Sequence, residues 1–188
     1  MAQTSFKAVI GPVRFSYLHV FEPYSFEDGK DPQYSATLLI PKSDKKLIAD
    51  VEAAISKAYA AAVEEKWGGK KPPMKNATCL YDGDEPNKQG DDRGEAYHGC
   101  YFLNAKSRQQ PEVVGRDRRP ILDSNDLYSG CWGYVSIAFS GYSNNGNLGI
   151  SCFLNNIMKT KDDQSLGGVR TSAADDFAGV ELDESEEL

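Results

Sequence analysis

Histidine is nearly missing from this chain, with only His19 and His98 among 188 residues. A His-based catalytic triad or a histidine-rich metal site has little material to draw on. No GxSxG, HExxH, Walker loop or Rossmann fingerprint occurs. No apolar run approaches the length that spans a bilayer. The opening MAQTSFKAVI lacks the charged-then-apolar pattern of a signal peptide. A cytoplasmic protein with no membrane contact is therefore expected. Cysteines are few and far apart (Cys79, Cys100, Cys131, Cys152), with no CxxC pair. They read as reduced, mostly buried thiols. Positive charge is also in short supply. The net charge is −7 with a pI near 4.9, which over the whole chain argues against nucleic acid.

The charge is not evenly spread. Residues 171–188, TSAADDFAGVELDESEEL, hold seven carboxylates and no Lys or Arg. Removing those seven from the 28 acids leaves 21, equal to the 21 Lys and Arg. The body is neutral and the C-terminal segment carries the whole imbalance, so the low pI does not exclude an anionic ligand for the body. Its composition, 40% hydrophobic and 26% charged, is that of an ordinary globular domain.

Strand signals dominate. In SFKAVIGPVRFSYLHVF (5–21), Val13, Phe15, Tyr17, His19 and Phe21 alternate with Arg14, Ser16, Leu18 and Val20. Gly11-Pro12 marks a bend or bulge. The polar turn EPYSFEDGKDPQ leads to a second strand, YSATLLI (34–40). Residues 43–67 read as one long helix capped by Ser43 and stopped by Gly68-Gly69, with an Ala-rich face suited to close packing on a sheet. A short strand is predicted at 78–81, then a polar loop at 82–95. The segment 96–114 begins as a strand, and an irregular connection follows. CWGYVSIAFSGY (131–142) and LGISCFLNNIMK (148–159) form a hairpin around an Asn-Gly turn. This pattern fits a mainly β, OB-fold-like antiparallel barrel with one long inserted α-helix. A sandwich is the alternative. The folded domain is expected to span 1–168, and 169–188 to form a disordered acidic tail.

The acidic loop residues Asp82, Asp84, Glu85, Asp91, Asp92 and Glu95 are the best enzymatic candidates, because clustered carboxylates can hold Mg²⁺ for nuclease chemistry. Their Gly-, Pro- and Asn-rich context fits a solvated loop better, since ligand geometry needs rigid elements. The bases say more. Residues 104–120 carry Lys106, Arg108, Arg116, Arg118 and Arg119 against two acids, and Lys70, Lys71 and Lys75 follow the helix. Two such groups in a neutral body suggest a groove for phosphates. Twenty residues are aromatic. On the strand 131–142, Val135, Ile137 and Phe139 share the core face. Trp132, Tyr134 and Tyr142 lie on the other among small residues, as a stacking platform for bases. Tyr101 is a further candidate.

YSGCWGYVSIAFSGYSNNGNLGISCFLNNIMKTKDDQSLGG resembles the C-terminal half of a phage single-stranded DNA-binding protein family, long catalogued as a domain of unknown function. The strand-to-helix segment YSATLLIPKSD and the W…KKPP stretch resemble it too, so the likeness spans most of 6–168. It implies an OB fold that binds single strands without sequence preference, with an acidic C-terminal tail. Single-strand binders usually place an aromatic residue after the acids. Here Leu188 stands last, and Phe177 is the one aromatic of the segment.

The expected function is therefore single-stranded DNA binding in phage replication or recombination, with no catalysis and no cofactor. The tail residues Asp175, Asp176, Phe177, Glu181, Asp183, Glu184, Glu186, Glu187 and Leu188 would recruit replication or recombination proteins. A homodimer stays open. The alternatives are a phage structural or adaptor protein whose tail binds a basic partner, and the Mg²⁺ nuclease.

Overall fold

The computed structural model describes residues 4–167 and 177–179. Seven strands form one sheet in the order β3-β4-β2-β1-β6-β7-β5. They are β1 (Phe6–Tyr24), β2 (Gln33–Pro41), β3 (Tyr81–Asp82), β4 (Cys100–Ser107), β5 (Glu112–Val114), β6 (Trp132–Asn144) and β7 (Asn147–Lys161). A parallel contact between β4 and β7, at Lys106 and Phe153, closes β1, β2, β4, β7 and β6 into a five-stranded barrel. The expected OB-like barrel is present, and the sandwich alternative is not.

The β6–β7 hairpin is the most local part of the fold. Asn145 and Gly146 both have positive φ, 49° and 83°, as the type I′ turn between right-twisted strands requires. Val135, Ile137 and Phe139 point inward at 1%, 0% and 0% exposure, as their alternation predicts. The bulge expected at Gly11-Pro12 appears as a register shift between Ile10 and Val13 in the β1–β6 ladder.

The long helix α1 (Lys45–Glu65) lies between β2 and β4 in sequence and packs on β6 and β1. It buries Leu47, Ile48, Val51, Ile55, Ala58, Ala62 and Val63. Small residues allow the close approach: a Cβ on Gly141 of β6 would lie 2.2 Å from the Ala62 Cβ. The cap differs from expectation by one residue. Asp44, not Ser43, accepts from the Leu47 N–H at 3.1 Å. A carboxylate there also opposes the positive helix end. The structure adds a four-residue helix α2 (Met74–Ala77) and a 3₁₀ turn at Glu95–Tyr97. The strand expected at 78–81 is confined to β3. All four cysteines are free, three of them buried. Burial pushes the Cys79 thiol up to about 12.

Candidate nucleic-acid interface

One groove runs over the outer face of β1, β2 and β4, and a break in β1 creates it. The β1–β2 register slips between Ser16 and His19 and again before Tyr24, and Tyr17 has φ 45°. The bulge reverses the phase of the strand. Phe15 and Val20 therefore point into the core at 0% and 1% exposure, whereas Tyr17, between them, stands out at 59%.

The β1–β2 connection adds more rings. His19 stacks on Tyr24 with centroids 4.7 Å apart, and Phe26 packs edge-on to Tyr24 at 4.8 Å. Tyr24 and Phe26 remain 49% and 57% exposed. Burial lowers the His19 pKa below the usual imidazole value, which favours the neutral ring. The rings lean on cations: the Lys106 ammonium lies 5.6 Å from the Phe26 centroid.

The loop 82–95 forms the opposite wall. It is stapled by its own polar side chains rather than merely solvated. Asp84 accepts from the Gly99 N–H at 3.0 Å and from Lys42 at 2.7 Å, and Asp92 accepts from the Gly94 N–H at 2.6 Å. Lys42 first, then the Gly99 N–H, holds the Asp84 carboxyl below its usual range. The Gly94 N–H first, then His98, does the same for Asp92. The wall carries Arg93, whose Nε donates to the Glu85 carbonyl at 3.0 Å and whose guanidinium lies 4.9 Å from the Phe102 ring centroid. Tyr97 follows, half-buried, and burial raises its phenol pKa. Lys42 also holds Asp82 at 2.6 Å. Among the described residues no group of three or more His, Cys, Asp or Glu could hold a metal ion.

The basic side chains lining the groove are Arg14, Lys30, Lys88, Arg93, Lys106 and Arg108. Arg14 is tied down, donating to Gly130 O at 2.9 Å and Gln164 O at 2.8 Å. The groove ends where residues 164–167 line it beside Arg14 and Arg93.

The residues singled out from sequence do not converge on one place. Lys106 and Arg108 line the groove. Tyr101 does not: Asn104 and Lys106 face outward from β4, and Tyr101 sits on the opposite parity, partly buried against the core. Arg116, Arg118 and Arg119 occupy an exposed turn after β5, closed by the Gly115 N–H donating to Arg119 O at 3.0 Å. Arg118 borders a separate cleft with Phe21, Ile121 and Leu122. Lys70, Lys71 and Lys75 lie beyond the C-terminal end of α1, exposed. That end adjoins Tyr142, because the Trp67 indole N–H donates to Tyr142 O at 2.9 Å. Tyr134 and Tyr142 are surface rings at 41% exposure, as expected, but away from the groove; Tyr134 packs beside Gly11. Trp132 is half-buried and donates to Asp163 at 2.8 Å. Sequence reasoning missed Tyr17, Tyr24, Phe26, Arg93 and Tyr97. One signal was available: Tyr24 and Phe26 are two large rings inside a Glu-, Pro-, Gly- and Asp-rich turn. Of the acidic segment, Phe177 is described and 67% exposed. Asp175, Asp176, Glu181, Asp183, Glu184, Glu186, Glu187 and Leu188 lie outside the described residues.

A small closed barrel with an open groove of exposed rings and cations is the architecture of OB-type single-strand-binding modules. The chain belongs to the family described as Enterobacter phage Enc34, ssDNA-binding protein, whose sequence model matches residues 6–188. Protein p50 of Acyrthosiphon pisum secondary endosymbiont phage 1 is 30% identical over 191 residues, covering 97% of this chain and 98% of its own. The single-stranded DNA-binding protein of bacteriophage Enc34, solved in complex with ssDNA, superposes with a TM-score of 0.74. It is 26% identical, over 86% of this chain and 90% of that one. The bacteriophage T7 single-stranded DNA-binding protein gp2.5 shares the fold at a TM-score of 0.54 and 19% identity, covering 100% of this chain and 99% of its own.

Proposed function

We propose that this protein binds single-stranded DNA without regard to sequence during phage replication or recombination, as a binding protein and not an enzyme, in the host cytoplasm. The observation that carries this reading is the groove itself, where rings and six cations line adjoining clefts, with Glu27, Asp31 and Glu95 as acids among them. Tyr17, Tyr24, Phe26 and Tyr97 stack on bases, and Lys30, Lys88, Arg93, Lys106 and Arg108 neutralise phosphates. Duplex DNA hides its base faces, so single strands should win. Titrating single- and double-stranded oligonucleotides of equal length at ~50 mM salt tests this; equal or tighter duplex binding would sink it.

The acidic segment is the competitor. Residues 164–167 line one end of the groove, so the segment is tethered from a point beside Arg14 and Arg93. Its seven acids can occupy the phosphate sites when DNA is absent. When DNA displaces them, they become available to basic replication or recombination proteins. Tethering gives such a competitor a high effective concentration, on the order of millimolar. Truncation after Ala174 removes all seven acids of 171–188. It should tighten DNA binding several-fold at ~50 mM salt and hardly at ~500 mM, where charges are screened within a few ångströms. An unchanged affinity at low salt would show that the segment does not compete.

A further inference from the structure

Stacking and phosphate contact leave a set of polar groups in the groove unused. Between Tyr17, Phe26 and Tyr97 lies a cavity of about 500 Å³, with Ser35 and Thr37 of β2 and Asn104 of β4 lining it. That is room for one nucleotide, with rings available to its base faces. The polar lining is unbalanced. The Thr37 hydroxyl donates to Asn104 Oδ1 at 2.9 Å, which takes one of the two lone pairs of that oxygen and points the NH₂ of the carboxamide elsewhere as a donor. Asn87, also on the lining, is engaged further. Its Oδ1 accepts the Gln89 and Asp91 N–H groups, both at 2.9 Å, and its NH₂ is left over. Arg93 and Lys106 can only donate. Ser35 is 6% exposed, and its hydroxyl has no hydrogen-bond partner. A buried hydroxyl without a partner is costly. Rotation about its single side-chain bond can turn it toward the cavity.

We propose that this pocket reads the edge of one base in the bound strand and prefers a keto-bearing base, thymine or guanine, to an amino-bearing cytosine or adenine. The inference rests on the single-strand-binding reading above. Thymine offers the O4 acceptor where cytosine offers an N4 amino donor. The Asn104 and Asn87 NH₂ groups with Arg93 and Lys106 outnumber the acceptors left at the Ser35 and Thr37 hydroxyls and Asn104 Oδ1, so the lining favours the first over the second. Affinity along the rest of the strand remains indifferent to sequence, since stacking and charge read no base edge. One favoured position per bound protein is the result.

The test compares oligo-dT with oligo-dC of equal length, two pyrimidines that differ at that edge. The native protein should bind dT about fivefold or more tightly, the low end of what one base-edge contact discriminates. Asn104 is exposed on β4, so replacing it should leave the barrel intact. Asn104→Ala should bring the dT/dC ratio near one while both oligonucleotides still bind. Asn104→Asp puts an acceptor in place of the donor and should turn the preference toward dC. Equal binding of dT and dC by the native protein would overturn the inference and leave the single-strand reading standing. A ratio that survives Asn104→Ala would overturn it too, placing the preference in stacking strength. Failure of both oligonucleotides to bind would bring down the DNA-binding reading and the pocket with it.

Discussion

Affinity for a single-stranded oligonucleotide is expected to fall about a hundredfold between ~50 mM and ~200 mM salt. The groove presents six cations, and Arg14 is already bonded to two carbonyls. That leaves Lys88, Lys106 and Arg108, together with Lys30, ion-paired with Glu27, and Arg93, bonded to the Glu85 and Pro86 carbonyls, which exchange those exposed contacts for phosphates. Each phosphate neutralised on a single strand contributes roughly 0.7 to the slope of log K against log salt, so about five contacts give a slope near −3.5. A fourfold rise in salt then costs about two decades. Lys106→Ala and Arg108→Ala should each reduce the slope by roughly 0.7, on every sequence alike. The Arg116, Arg118 and Arg119 side chains lie on the turn beyond β5, so their alanine variants should leave the slope unchanged. A flat response in the native protein would remove the charged groove from the account. A slope that falls only in the Arg116, Arg118 and Arg119 variants would move the strand's path to the cleft beside Leu122.

The contrast between those two groups of cations shows what a linear reading can and cannot find. Lys106 and Arg119 are thirteen positions apart in one basic run, which looks continuous along the sequence. The chain turns between them, at β5 and its return, so one end faces the groove and the other a different cleft. Local elements were legible: the Asn145-Gly146 hairpin, the inward face of β6 and the Ala-rich helix face all follow from residues close in sequence. The pairing that closes the barrel, β4 beside β7, and the edge pairing of β5 with β7 join distant segments in parallel and leave no local signature. Tyr17 illustrates the remaining difficulty. Strict alternation groups it with Val13 and Phe15, but a bulge of one residue turns everything after it to the other face. Arg93 was hidden by its acidic neighbours, whose carboxylates turn out to hold the loop that presents it.

Removing the two most exposed rings of the groove together, Tyr17→Ala with Phe26→Ala, is expected to weaken single-strand binding by about thirtyfold or more. Base–aromatic stacking is worth roughly 1–3 kcal/mol per base, and each ring can serve a different base. The loss should appear at every salt concentration, because stacking releases no counterions; the salt slope should stay near that of the native protein. This separates the rings from the cations in one series of titrations. Folding should be little affected. Tyr17 and Phe26 are 59% and 57% exposed, so alanine there opens no cavity in the core. Tyrosine fluorescence should be quenched on adding oligo-dT to the native protein and less so in the double variant. Tyr134→Ala and Tyr142→Ala provide the control. Both rings are exposed at 41%, but one rests beside Gly11 and the other at the C-terminal end of α1. Those variants should bind as the native protein does. If they lose affinity while the Tyr17 and Phe26 variant keeps it, the strand crosses the outer face of β6, and the β1–β2–β4 groove is not the binding surface.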